Sequence, residues 1–277
     1  MAWRRFRHNR GAMAGLVVLG VIVLIVLVAP LFVPYTPTAV DPNHVREGLS
    51  AAHWLGTDDT GRDTLARLLA GGQVSLLVGF AAAASALVIG TTLGIVSGRA
   101  GGWLDLLITR ITELFMAIPS ILVVIVLAGV VGPSIGLLIT LIALFTWPSC
   151  CRIARSVVLK VRELEYVQAA HAAGTVWWRI LLRHLLPNVL PQVMVSGTLL
   201  VAIAILSEAS LSYLGLGVTP PAASWGNMLM EVRSFGKLAS QPWLWVPPGV
   251  AISLTTLSVV FIGDGLRDAL DPKAASS

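Results

Sequence analysis

Five histidines, two cysteines and 14 carboxylates are the residues of this 277-residue chain most able to do chemistry. The histidines stand at positions 8, 44, 53, 171 and 184, too scattered to make a metal-ligand set, and no H-E-x-x-H pattern occurs. Cys150 and Cys151 are adjacent. Neighbouring cysteines rarely pair because the ring they would close is strained. Two free thiols packed as small apolar residues are therefore expected. The one Gly-Lys pair, Gly236-Lys237, has Glu231 five residues before the glycine and Leu238 after the lysine, which is not a P-loop. No G-x-S-x-G elbow appears. The run Gly56-Thr-Asp-Asp-Thr-Gly-Arg-Asp63 has the composition of a calcium loop, but Gly56 and Thr60 occupy two of the three positions that should be acidic. It reads instead as the capped start of a short helix leading into the second apolar span. The chain is not expected to be an enzyme.

The elements that would position these residues are membrane helices. Hydrophobic types make up 56% of the chain and charged types 12%, and the mean hydropathy is +0.84. Soluble domains run near a quarter charged. Five stretches lack Asp, Glu, Lys and Arg: 11–40, 68–98, 114–151, 184–207 and 238–263. About 20 apolar residues cross the roughly 30 Å of hydrocarbon, so the third is long enough for two spans. Gly132-Pro133-Ser134 divides it into 113–131 and 134–150. The expected fold is all-α and integral to the membrane, with six transmembrane helices. Residues 1–72 would hold a basic N-terminal segment, the first span and an outer loop. Residues 73–270 would hold a core of five spans, with cytoplasmic helices at about 160–187. A further uncharged stretch, 209–230, contains Pro220-Pro221 and reads as an ordered loop outside the bilayer core.

Basic residues mark the cytoplasmic side. Arg4, Arg5, Arg7 and Arg10 place the N-terminus inside, and six alternating spans place the C-terminus there too. That topology puts 14 of the 19 Lys and Arg residues inside and 5 outside. The pI near 9.8 follows from this bias and says little about any cargo. The apolar run of the first span reaches Val33 and leads into Pro34-Tyr-Thr-Pro37 without a small-x-small cleavage pattern, as a retained anchor does.

Between spans four and five lies a polar segment, EYVQAAHAAGTVWWRILLRHLLPN, at 165–188. Tyr166, Ala169, Ala170 and Ala173 share one helical face, which is mostly alanine. Gly174 suits the end of that helix, and Thr175 suits the N-cap of the next. Trp177, Ile180, Leu181, His184 and Leu185 form an apolar face on the second helix, and Pro187 is expected to stop it before span five. By geometry the small face suits insertion into a partner's groove, or the segment is an interfacial linker.

The pattern Gln168-Ala169-Ala170, Gly174 and, after nine intervening residues, His184-x-Leu186-Pro187 resembles the EAA signature of ABC importer permeases. Gln168 stands where that motif has Glu, His184 stands where it has Ile, and Glu165 lies three residues before the Gln168 position. The stretches His53–Asp63, Gln73–Leu77, Glu208–Gly217, Pro220–Met228 and Gly263–Pro272 resemble the C-type subunit of the dipeptide, oligopeptide and nickel permease group. The resemblance implies a type I importer permease in a bacterial or archaeal inner membrane. Glu165, Gln168, Ala169, Ala170, Gly174, Leu186 and Pro187 would form the ATPase-docking site. The implied partners are a B-type permease, two ATPase subunits, an extracytoplasmic substrate-binding protein and the bilayer, with no nucleic acid. The implied cargo is a di- or oligopeptide, or alternatively nickel or a metal chelate. No cofactor is implied on this chain; ATP and magnesium belong to the ATPase subunits.

Intramembrane carboxylates mark ion-coupled transport. Glu208 is the one carboxylate placed near a span end with apolar sequence on its inner side. It is a candidate for the substrate pathway, or faces a wet vestibule, or caps a turn. An ion-coupled secondary transporter would show internal repeats and more buried carboxylates than this chain carries. A membrane-embedded enzyme would need convergent His, Asp or Cys residues, which the topology scatters.

Overall fold

The computed structural model describes residues 2–270, so Asp271, Pro272 and Lys273 of the sequence motifs lie outside the described residues. The described residues form helices joined by loops. Helix α1 (Ala2–His8) and α2 (Arg10–Val28) meet at Asn9, whose side chain caps α2 by accepting from the N–H of Ala12. A 3-10 turn at Ala29–Leu31 ends the first apolar segment, because Pro30 lacks the N–H a continuing helix would need. The first span therefore ends at Leu31, close to Val33, the expected end of its apolar run.

Helix α3 (Thr64–Ala100) has 37 residues. Asp63 caps it directly, its carboxylate accepting from Ala66 N–H at 2.7 Å. The Gly56–Asp63 run thus leads straight into the long helix, and the separate short helix expected there does not exist.

Helices α4 (Gly102–Ala117) and α5 (Ser120–Val131) correct the third expected span. They bend by 79° at Ile118-Pro119, and among the described residues five helices are long and apolar enough to cross a membrane, or six if this pair counts as one span. Proline disfavours the helical conformation in the residue before it, and Ile118 is extended at ψ 125. With 12 residues, α5 reaches only ~18 Å, less than the bilayer core, and α4 carries Asp105, Arg110 and Glu113. Neither half spans alone.

Helix α6 (Ile135–Arg162) starts from a Ser134 cap. Helices α7 (Glu165–Ala172) and α8 (Trp177–Ile180) follow, and α9 runs from Leu186 to Tyr213. The stretch 209–230 is therefore not all loop. Its first residues extend α9, and its last form α10 (Trp225–Met230), whose Trp225 is 1% exposed. Helix α11 (Phe235–Ser240) and α12 (Pro242–Leu270) complete the chain.

A glycine ridge joins α3 to α6. Gly90, Gly94 and Gly98 are spaced one turn apart and face Cys150, Cys151, Ala154 and Val158. A Cβ on Gly94 would stand 2.5 Å from the Cys151 carbonyl oxygen and 2.7 Å from Ala154 Cβ. Small residues let membrane helices approach until their backbones touch. Both cysteines are free and buried in this seam, as small apolar packing residues. Arg155 of α6 adds a two-point ion pair to Asp105 of α4 at 2.6 and 2.7 Å.

Candidate coupling site and the two polar clusters that hold the bundle

Helix α7 stands at the end of the bundle where α3 and α6 finish. Glu165 lies in its first turn, where a carboxylate is favourable to the helix dipole. Val167, 5% exposed, is its anchor in the core beside Val158, Val161 and Ile180. Ala169, Ala172 and Ala173 are exposed and Ala170 half-buried, so the alanine face stays uncovered by this chain.

Two hydrogen bonds close α7. Gly174 N–H donates to His171 O at 3.0 Å and Thr175 N–H donates to Ala170 O at 3.1 Å. Gly174 sits at φ +74, the left-handed conformation this closure requires and glycine adopts without penalty. Thr175 is thereby used to finish α7. Val176 begins α8 with no side-chain cap, which corrects the expected role of Thr175.

The second helix does not stop at Pro187. Leu181–Leu185 form a π turn between α8 and α9, and the whole segment Trp177–Tyr213 is one continuous helical rod. A proline near a helix start loses only an N–H that had no partner, and a π turn relieves the clash of its ring with the preceding turn. Ile180 and Leu185 are buried. They fix this rod to the core, so α7 is an arch between two rigid feet.

The candidate docking residues fall in two places. Glu165, Gln168, Ala169, Ala170 and Gly174 lie on or at the end of α7; Leu186 and Pro187 lie beyond α8 at the head of α9. Gln168 donates from Nε2 to Glu163 at 3.3 Å. Sequence reasoning missed the supports of the arch. The Arg99 guanidinium lies 4.0 Å over the Trp177 ring, and Arg162 donates to Gly98 O at 2.9 Å. The partners in each case are more than 60 residues apart, and no periodic pattern connects them.

Glu208 is 0% exposed and faces no open vestibule in this structure. Its carboxylate accepts from Ser75 Oγ of α3 at 2.7 Å and from Ser212 Oγ of α9 at 2.7 Å. Ser75 Oγ in turn accepts from Trp225 N–H at 3.2 Å, and Ser212 Oγ from Val218 N–H at 3.0 Å. One carboxylate thus ties α3, α9 and α10 together. A Glu208→Leu exchange is expected to leave two buried hydroxyls without an acceptor, at about 1–3 kcal/mol each. Glu208→Gln, which keeps an acceptor oxygen, should cost distinctly less. Thermal unfolding of the two variants in detergent checks the order.

The opposite end of the bundle carries a second cluster. Arg67, 1% exposed, donates to Asp58 at 2.5 Å and to Glu231 at 2.5 Å. Arg62 reaches the same two carboxylates at 2.7 and 3.2 Å. Arg46 and Lys237 both pair with Asp59. The loop before α3 is in this way clamped to the loop after α10. Burial works to raise the Asp58 pKa, but hydrogen bonds from Thr60 and Arg62 and the charge of Arg67 outweigh it, and the group sits below its usual range. Glu231 moves the other way. Burial and the Asp58 charge raise its pKa against the pull of Arg67 and Arg62, because no backbone N–H helps it.

The signs follow. Asp58 contributes stability above its unfolded value of 3.8, lost only as pH falls through its lower folded value. Glu231 gains its proton first, and the folded state gains stability from that as pH falls toward 4.5. Arg67→Met should therefore destabilise by about 3–5 kcal/mol at neutral pH, the range for breaking one side of a buried ion pair. The loss should shrink on acidification toward pH 4.5. Melting curves across that range measure it.

A bundle of apolar helices, with an uncovered arch at one end and a clamped loop layer at the other, is the architecture of a membrane permease subunit. By sequence the chain belongs to the family described as binding-protein-dependent transport system inner membrane component, whose model matches residues 90–276. Residues 1–51 match the N-terminal TM domain of oligopeptide transport permease C. A Brucella suis protein named as a peptide permease is 44% identical over 98% of this chain and 89% of its own length. The dipeptide transport system permease protein DppC of Alkalihalophilus pseudofirmus is 42% identical over 99% of this chain and 90% of its own length. The fold is shared with the MetNI methionine ABC transporter in an inward-facing crystal form, at TM-score 0.58 and 19% identity over 74% of this chain and 96% of that one. Members of this family are non-catalytic, multi-pass inner-membrane subunits of ABC importers, and ATP hydrolysis resides on partner subunits. The secondary-transporter reading falls with that membership.

Proposed function

We propose that this chain forms half of the translocation pathway of an ATP-driven peptide importer and receives the ATPase stroke through α7. The pathway is completed by a B-type permease. Two ATPase subunits, which carry ATP and magnesium, dock beneath, and an extracytoplasmic binding protein delivers cargo onto the clamped loop layer. The uncovered alanine face of α7, between two feet buried in the core, is the observation that carries this reading. Small side chains let a partner groove close on the helix backbone.

The α4–α5 pair counts as one broken span in this reading, which gives six spans with both termini in the cytoplasm. The basic bias of 14 residues to 5 supports that orientation. Relatives named for peptide and dipeptide transport support peptide as cargo. Gln168 in place of a glutamate makes docking depend on shape and hydrogen bonds more than on charge.

Co-reconstitution into proteoliposomes tests the reading. Uptake of a labelled dipeptide should require the binding protein, both permeases and hydrolysable ATP. Uptake driven by an ion gradient without the ATPase would refute it.

A further inference from the structure

A crevice of about 620 Å³ lies between α1, α2, α3, α9 and α12. Apolar side chains line it throughout, except for Thr198, whose hydroxyl is already committed to Val195 O at 2.7 Å. Its size falls within the roughly 300–1,000 Å³ of small-molecule sites. Its α12 wall runs from Val259 to Ala269, which is ~15 Å of helix. That is the depth of one leaflet, half of the roughly 30 Å hydrocarbon core.

The Ala269 end of the crevice is closed by α1, whose Phe6 packs with Ala12 and Ala269. Trp3 and Phe6 stack at 5.8 Å and both line the crevice. Trp3 is nevertheless 64% exposed, as interfacial tryptophans are. Arg4 and Arg7, each next in sequence to one of these rings, are exposed, and so is Arg10 at the head of α2. Residues 4–10 and 264–268 together hold five arginines against two aspartates, Asp264 and Asp268, the latter bonded to Asn9 at 3.0 Å. An apolar slot one leaflet deep thus ends at a cationic rim.

We propose that the crevice holds an acyl chain of an anionic phospholipid, with the lipid phosphate held by Arg4, Arg7 and Arg10. The charge of the rim selects this occupant. A bare apolar slot would take any lipid tail, whereas basic residues at the headgroup level favour an anionic one by about fivefold each. The lipid would then glue α1 and α2 to α9 and α12, joining the N-terminal segment to the permease core.

Tryptophan quenching in the assembled importer tests this. The complex is placed in nanodiscs of phosphatidylcholine doped with either brominated phosphatidylglycerol or brominated phosphatidylcholine. The Trp3 signal is the difference between the native chain and Trp3→Phe. Phosphatidylglycerol should quench it at roughly a hundredfold lower mole fraction than phosphatidylcholine, about fivefold for each of the three arginines, and Arg4→Gln, Arg7→Gln and Arg10→Gln together should bring the two lipids to parity. Ala84→Leu, at an exposed position on the crevice wall, should weaken quenching by both lipids without unfolding the chain. Equal quenching by the two lipids in the native complex, unchanged by the arginine exchanges, would overturn the proposal. So would an absence of Trp3 quenching in the assembled complex, which would mean that a partner subunit covers the crevice.

Discussion

Replacing Ala169 with arginine is expected to abolish ATP-driven uptake while leaving the chain folded and inserted. Arginine is a good helix former, and Ala169 is exposed on α7, so nothing within this chain opposes the exchange. The ATPase groove would instead meet a long charged side chain where a methyl group lets backbones close. A loss of only ~1.4 kcal/mol of docking energy is tenfold in affinity, and forcing two packed surfaces apart costs more. Uptake should fall at least tenfold, with loss of ATPase co-purification from membranes. Gly174→Ala separates conformation from contact. Its Cβ would meet nothing within 4 Å, so its cost is the left-handed backbone alone, about 1–2 kcal/mol. It should weaken coupling far less than Ala169→Arg.

The second large effect is structural. Gly94→Leu is expected to prevent folding of the core. The new Cβ alone would stand 2.5 Å from the Cys151 carbonyl oxygen and 3.0 Å from Arg155 N, both backbone atoms of α6. Overpacking against side chains typically costs about 1–3 kcal/mol, but backbone cannot rotate away. The seam would have to part along Gly90, Gly94 and Gly98, taking with it the Asp105–Arg155 pair that aligns α4. Loss of the monodisperse size-exclusion peak reads the outcome. Gly20→Leu on α2, whose Cβ would meet nothing within 4 Å beyond its own helix backbone, is the matched control and should keep the peak.

What the sequence disclosed tracks the range of the interactions. Apolar runs placed the long helices because burial in lipid is a property of each segment by itself. Gly174 announced the end of α7, since a left-handed residue between two helical patterns is a local requirement. The break at Ile118-Pro119 is equally local, but the apolar run continues without interruption on both sides of it, so composition does not mark it as Gly132-Pro133 is marked. Pro187 was misleading for the opposite reason. A π turn absorbed it, and the widening of one turn leaves no mark in residue type. The buried partners of Glu208 and Arg67 were beyond reading. Ser75 and Glu208 lie 133 positions apart, and Arg67 and Glu231 lie 164 apart. Only the close approach of α3 to α9 and α10 brings them together, and that approach is set by Gly71, Gly72 and Gly79, which face Ser224, Trp225 and Ile205, neighbours a single sequence does not name.

The central claim is that α7 is the surface through which the ATPase moves this subunit. The only native cysteines, Cys150 and Cys151, are buried in the α3–α6 seam, so a single thiol introduced by Ala169→Cys can be addressed alone. The decisive measurement is thiol cross-linking from that position in the assembled complex, with a short bifunctional reagent and cysteines placed along the ATPase groove. The expected result is a specific permease–ATPase adduct that blocks uptake until the bond is reduced. Full ATP-driven uptake from a complex that gives no adduct at any groove position would contradict it.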